Sequence, residues 1–254
     1  MKINKIILIL TLIATFSLSA CANDKDDNTK NQVSEESKEN KASNQFTAQG
    51  RIIKIDKEGI HIQNKDKVDV YKVGEEKANK FYAGEYIGIN KLNTGDYEVL
   101  SDVNYDYNKR FTSEGNEIRR ITGTVKDFSD GRVTAVTETG NLDFVNPDNI
   151  ILSPDSQVIF DYVEMNGGNQ IVSYYDEASK IVVRVKEISR GTDGTMKVFA
   201  TAADNKEYDI NVGADAVTNF AHSSLKTDDE ITVYPETITG NIPAVVDAKL
   251  IIKK

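Results

Sequence analysis

The chain has 254 residues, a formal net charge of −9, 40 acidic against 31 basic side chains, one cysteine and no tryptophan. A lone cysteine excludes an internal disulfide, so the fold must be held by its core alone. The acid excess argues against nucleic acid, which basic patches bind by displacing counterions, and against attachment to anionic lipid through a polybasic face.

The first predicted element, residues 1–20, is a leader. Lys2 and Lys5 flank the start of an apolar run from Ile6 to Ser17, interrupted only by Thr and Ser, which ends in Leu18-Ser19-Ala20-Cys21. Roughly a dozen apolar residues fall short of the ~20 that a membrane-spanning helix needs. Small residues before a cut, with cysteine directly after it, resemble the lipobox of bacterial lipoproteins. The resemblance implies a signal peptide removed before Cys21 and a diacylglycerol thioether on that residue. It further implies a protein held in the bilayer by acyl chains of the palmitate type, on the extracytoplasmic face of the cell membrane. A thiolate suits that chemistry as the strongest nucleophile among ordinary side chains. Two chains matter, because each buried methylene contributes about 0.8 kcal/mol and one chain alone anchors only marginally.

Residues 21–44 are predicted to be a disordered polar tether. After Cys21 the stretch has one β-branched aliphatic residue, Val33, and no aromatic, too little apolar surface to offset the entropy of ordering it. As a flexible coil it would span roughly 26 Å on average.

The remainder shows short alternating runs bounded by Gly, Asn and Asp, the pattern of an all-β barrel or sandwich. The runs recur as a set at intervals of about 60 to 73 residues. Gly50-Arg51-Ile52-Ile53-Lys54-Ile55 aligns with Gly123-Thr124-Val125-Lys126-Asp127-Phe128 and with Val183-Arg184-Val185-Lys186-Glu187-Ile188. Each set continues through a glycine turn to a second strand (60–63, 132–137, 196–201) and a polar turn to a third (68–73, 141–145, 207–212). An irregular stretch follows, able to form a short helix at 74–84 and 213–225 and more loop-like at 146–156, where Pro147 and Pro154 stand. Fourth (85–89, 157–162, 230–234) and fifth strands (97–103, 170–175, 245–252) close each set. Three strands, a short helix or loop, then two strands resemble the order of the OB-fold; an SH3-like barrel or one continuous β-structure would read similarly. The expected organisation is β-unit 1 over 45–103, a connector over 104–120 serving as the hinge, β-unit 2 over 121–176 and β-unit 3 over 177–254. Units of this size are marginal alone, so neighbours are expected to pack together.

Chemistry is sparse. No G-x-S-x-G, H-E-x-x-H, P-loop or G-x-G-x-x-G pattern occurs, and no catalytic residue, cofactor or metal site is assigned. His61, between Ile60 and Ile62, is expected to face solvent from its strand. His222 reads as a surface or helix-end residue. The alternating oxygens of Asp102, Asn104, Asp106 and Asn108 echo a calcium loop, but Tyr107 stands where a turn glycine belongs. Asp127, Asp161 and Asp247 are acid–base candidates only in the weak sense that 40 acidic residues always supply a pair. Tyr105, Tyr107, Tyr174 and Tyr175 are the candidate ligand-binding residues, able to stack on a sugar or peptide. The functional expectation is a lipid-anchored, extracytoplasmic, non-catalytic interaction or envelope-structural module, not an enzyme, with an envelope protein or glycan as partner and no nucleic acid. The alternatives are a lipoprotein capturing an oligosaccharide, peptide or metal, and an envelope hydrolase.

Overall fold

A computed structural model describes residues 46–64, 67–102, 104–129, 131–146 and 150–254. The expected leader, Cys21 and the tether lie outside the described residues.

Each of the three repeats folds as a five-stranded unit. In the first, β1 (Ala48–Asp56), β2 (Gly59–Asn64), β3 (Lys67–Tyr71), β4 (Tyr86–Lys91) and β5 (Tyr97–Ser101) form a sheet in the order β3-β2-β1-β4-β5, with one short helix, α1 (Glu75–Ala78), between β3 and β4. The second contains β6 (Arg110–Phe111), β7 (Glu117–Ser129), β8 (Arg132–Thr137), β9 (Gly140–Val145), β10 (Gln157–Met165) and β11 (Gly168–Asp176). Here β7-β8-β9-β11-β10 closes on itself through β10–β7, and β9 pairs parallel to β11. The third contains β12 (Ile181–Arg190), β13 (Met196–Ala202), β14 (Glu207–Val212), β15 (Val217–Thr218), β16 (Glu230–Ile238) and β17 (Ala244–Lys253). It closes in the same way, through antiparallel β12–β16 and parallel β14–β17. The protein is all-β, built from tandem OB-like barrels. In the first unit no β3–β5 pairing forms among the described residues, and that seam is bridged instead by Tyr71 and Tyr97, edge to face at 5.4 Å.

Alternation explains the cores. Ile52, Val125 and Val185 occupy the same repeat position, and all three are fully buried. One residue later each first strand carries a bulge against its second, between Ile52 and Lys54, Val125 and Asp127, and Val185 and Glu187. An extra residue bends and twists a strand, which helps a five-stranded sheet curl. A second device also repeats. Gly84, Asp155 and Asp228, all at positive φ, donate their N–H to the carbonyls of Ile52, Val125 and Val185 at 2.7, 2.8 and 2.9 Å. The next residues, Glu85, Ser156 and Asp229, return the bond by accepting from the same three N–H groups. Every fourth strand is thereby pinned to its first by a left-handed turn.

The third unit's irregular stretch makes no α-helix, but a loop with one short 3-10 turn, within the short helix or loop expected between third and fourth strands. Val217 and Thr218 pair with β17 and a single 3-10 turn covers His222–Ser224, since β-branched neighbours favour extended backbone. Nor is 104–120 a free hinge. Arg110–Phe111 pairs with Glu117–Ile118, and Arg119 and Arg120 lie opposite Tyr162 and Asp161 of β10. Polar outward-facing side chains hide that strand from a reading based on hydrophobic alternation.

The units pack on one another, the first against the third as well as the second against the third. Between the first and third, Ile55 N–H donates to Asp193 O at 2.8 Å and Ala83 N–H to Gly194 O at 2.9 Å. Arg190 donates to the carbonyls of Asn79 and Phe81 and lies 4.5 Å over the Tyr82 ring. Gly194 has φ +82°, and a Cβ there would fall 2.6 Å from Cβ of Ile55. Gly194→Ala is therefore expected to cost about 2 kcal/mol in chemical denaturation, from the backbone conformation and the blocked approach together. Between the second and third units, Ile159, Tyr175, Tyr234 and Leu250 form a shared apolar cluster.

Candidate ligand cleft at the barrel junction

A cleft of about 160 Å³ opens where the 104–120 segment meets the first and third units. The first unit contributes Arg51, Gly84 and Tyr86, the connecting segment Tyr105, Tyr107 and Arg110, and the third unit the stretch from Asp215 to Thr218. Arg51 faces outward because its neighbour Ile52 faces the core. A further depression of about 280 Å³ shares Arg110 and Asp215 with the cleft and continues to Tyr175, Glu236 and Lys249.

The aromatic wall is built by turns. Asp102 and Asp106 accept from the backbone N–H groups of Asn104 and Asn108 at 3.1 and 3.0 Å, so these carboxylates shape the loop. The loop lays the Tyr105 ring on Tyr86 at 3.6 Å, nearly parallel, with Tyr107 edge-on to Tyr105 at 4.8 Å. Tyr107 Oη accepts the Tyr86 N–H at 3.2 Å. Burial pushes the Tyr107 hydroxyl up to about 12 and raises Tyr105 further, so both keep their protons.

Beneath the junction lies a buried ionic cluster. Asp161, wholly buried on β10, accepts from Arg120 Nε and Nη2 at 2.7 and 2.9 Å, from Arg110 Nη1, and from Tyr175 Oη at 2.9 Å. Burial alone would raise its pKa, but the hydrogen bonds and charges of Arg120 and Arg110 outweigh that and hold it below the usual range.

The floor has an anomaly. His222, expected at the surface, is 1% exposed, and neither ring nitrogen has a hydrogen-bond partner among the described residues. It presses on Gly84, where a Cβ would meet the ring at 2.5 Å. Burial, reinforced by the Arg51 charge, lowers its pKa to about 4. The neighbouring Glu85 is also buried, accepts the Ser223 N–H, and is raised by desolvation. The 3-10 turn that follows Phe220 tucks the imidazole inward, which a reading based on polarity alone misses.

Of the four tyrosines named from sequence, Tyr105 and Tyr107 line the cleft. Tyr175 is 2% exposed and lies at the seam of the second and third units, where Lys249 sits 4.7 Å over Tyr174 and 5.5 Å over Tyr175. Arg51, Tyr86 and Arg110 carried no motif and were missed; only the even spacing of Tyr105 and Tyr107 hinted at this wall. Asp161 is absorbed by arginines, while Asp247 accepts from Thr237 and Asn211 and does not join it. Asp127 sits beside the β7 bulge, 3.5 Å from Ser129 Oγ. His61 points away from the core but is half-buried against Asp56, 3.0 Å away. Asp56, Glu58 and His61 bring metal-type ligand atoms within 4.8 Å of one another. Lys54 already occupies the other Asp56 oxygen at 2.6 Å.

No known protein family and no curated protein matches the chain. Among solved structures it is similar to the crystal structure of a multidomain protein with nucleic acid binding domains from Streptococcus pneumoniae TIGR4, at 10% identity and a TM-score of 0.21, over 80% of this chain and 72% of that one. Drosophila Unr CSD456 is similar at 10% identity and a TM-score of 0.21, over 81% of this chain and 96% of that one. What either protein binds is a property of that protein. The charge-based exclusion of nucleic acid is nonetheless corrected here, on the placement of charge. Net charge is a sum over the whole chain, whereas a polyanion meets one face, and Arg51 and Arg110 share a face of this acidic molecule. Among the described residues no helix is long and apolar enough to cross a membrane.

Proposed function

We propose that the protein is a lipid-anchored, extracytoplasmic, non-catalytic interaction module that meets its partner at the junction cleft. The observation carrying this reading is that residues of the first and third repeats and of the 104–120 segment line one small cavity, so the partner site belongs to the assembled array and to no single barrel. Cationic and aromatic groups converge there, a combination suited to recognition. The lipobox-like Leu18-Ser19-Ala20-Cys21 supports the anchor, and the polar tether supports a site held away from the bilayer. Cys21→Ala is expected to shift the protein from the membrane fraction into the soluble or secreted one, with mass spectrometry finding acyl chains on the parent only. A bare thiol at Cys21 of the parent would remove the anchor. For the site, a photo-crosslinking residue at Phe111, on the cleft wall, is expected to capture an envelope component that the same residue at Thr139 does not. Equal capture at both positions, or none at either, would remove the cleft from the reading.

A further inference from the structure

Resting on the cleft as the partner site, we infer that its ligand presents an oxyanion, a phosphoryl or carboxylate group, to Arg51 and Arg110. Four observations converge. Arg51 lines the cleft, and no carboxylate is paired with it among the described residues. Arg110 lines it as well, but shares the one carboxylate paired with it among the described residues, Asp161, with Arg120. Two guanidiniums on one buried carboxylate leave a positive charge over, in surroundings where burial weakens screening. Tyr107 Oη uses an acceptor lone pair on the Tyr86 N–H, so its hydroxyl proton remains to be donated. Finally, the cleft is small, about 160 Å³, and open to solvent on one side, so a charged group can enter with the rest of the ligand outside.

The adjoining depression gives that remainder a path toward Lys249, a third cation. Four carboxylates oppose the assignment: Asp215 on the cleft wall and Glu236 in the depression, both exposed, and Asp102 and Glu85, whose charges act on Tyr107, with Glu85 held toward its neutral form by burial. Exposed charges are well screened, whereas the excess charge of the Arg110–Asp161–Arg120 cluster is not. Asp215 therefore sets affinity without reversing the sign of the site.

The test uses the mature lipidated protein in detergent, labelled with 3-fluorotyrosine, with the Tyr105 and Tyr107 signals assigned by single Tyr→Phe variants. Glycerol 3-phosphate and glucuronate are expected to shift those signals saturably and less at higher salt, while glucose does not. The order of the two anions separates a phosphoryl from a carboxylate ligand. Arg51→Gln should weaken binding about tenfold through loss of a charge-assisted hydrogen bond, and Arg51→Lys should recover part of that loss. Asp215→Asn should strengthen binding about two- to fivefold by removing a screened like charge. Circular dichroism of each variant excludes misfolding as the cause. Glucose binding as well as the anions, no anion shifting these tyrosines, or anion binding indifferent to Arg51 and Asp215 would each overturn the oxyanion. Crosslinking from Phe111 that persisted in any of those cases would show the cleft still serving as the partner site.

Discussion

Asp161→Asn is expected to destabilise the protein by about 3–5 kcal/mol, the largest effect of any single substitution considered. The reason is asymmetric. The carboxylate is fully buried, and its partners Arg110, Arg120 and Tyr175 remain when it is neutralised. Removing one member of a buried ionic cluster leaves uncompensated charge, which costs far more than the intact cluster contributes. Two guanidiniums would then face an amide able to accept at only one oxygen. Urea denaturation of parent and variant at pH 7 measures the difference. Asp247→Asn is the control: that carboxylate is exposed and bonded to Thr237 and Asn211, and a loss under about 1 kcal/mol is expected. Equal losses at the two sites would refute the special status of Asp161. Because its folded pKa is depressed, its contribution is present above the ordinary aspartate value and is lost only as pH falls through the lower folded value.

His222 is expected to make stability fall at milder acidity. Its folded value is about 4 against an ordinary 6.5, so between those values the unfolded chain binds the extra proton and the folded chain does not. Stability is therefore complete above pH 6.5 and declines as pH drops toward 4, by about 3 kcal/mol over the window. The groups facing the imidazole pull in different directions. Arg51 disfavours its protonation, while the backbone at Ala83 favours it. Glu85, whose folded pKa is raised by burial, binds its proton more readily folded than unfolded and so offsets part of the loss. Denaturation midpoints at pH 7.5, 6.0, 5.0 and 4.5 should fall steadily in the parent. In His222→Phe that fall should vanish, the midpoints holding level or rising as Glu85 takes up its proton, and in Glu85→Gln the fall should steepen. At pH 7.5 His222→Phe should match or exceed the parent, because two unpartnered buried nitrogens disappear with the imidazole. A parent curve flat from pH 6.5 to 4.5 would rule out a buried neutral imidazole.

Strand identity was legible because it is local. Ile60–Gln63, Arg132–Thr137 and Met196–Thr201 alternate, and all three formed. The alignment of the three first strands was legible too: Ile53, Lys126 and Lys186, matched in sequence, are the residues at which all three bulge. What stayed hidden depends on distant chain segments. Asp161 meets Arg110 and Arg120 across 51 and 41 residues, and neither end carries a mark of the other. Tyr86 gains its place only because the 104–108 loop folds back on it. The cleft inherits the same difficulty. Tyr105 and Tyr107 stood out by alternation, but Arg51 and Arg110 are ordinary strand residues until packing of the units brings them to one opening.

The left-handed turn that pins each fourth strand fixes the running order of the barrels. Aspartate fills it in the second and third, exposed in both, while the first has Gly84 because the imidazole of His222 occupies the space a side chain would need. The three repeats are thus copies in backbone but not exchangeable parts. A chimera with the second barrel in the leading position would bring Asp155 against that ring, and the imidazole would have to shift before the barrels could close.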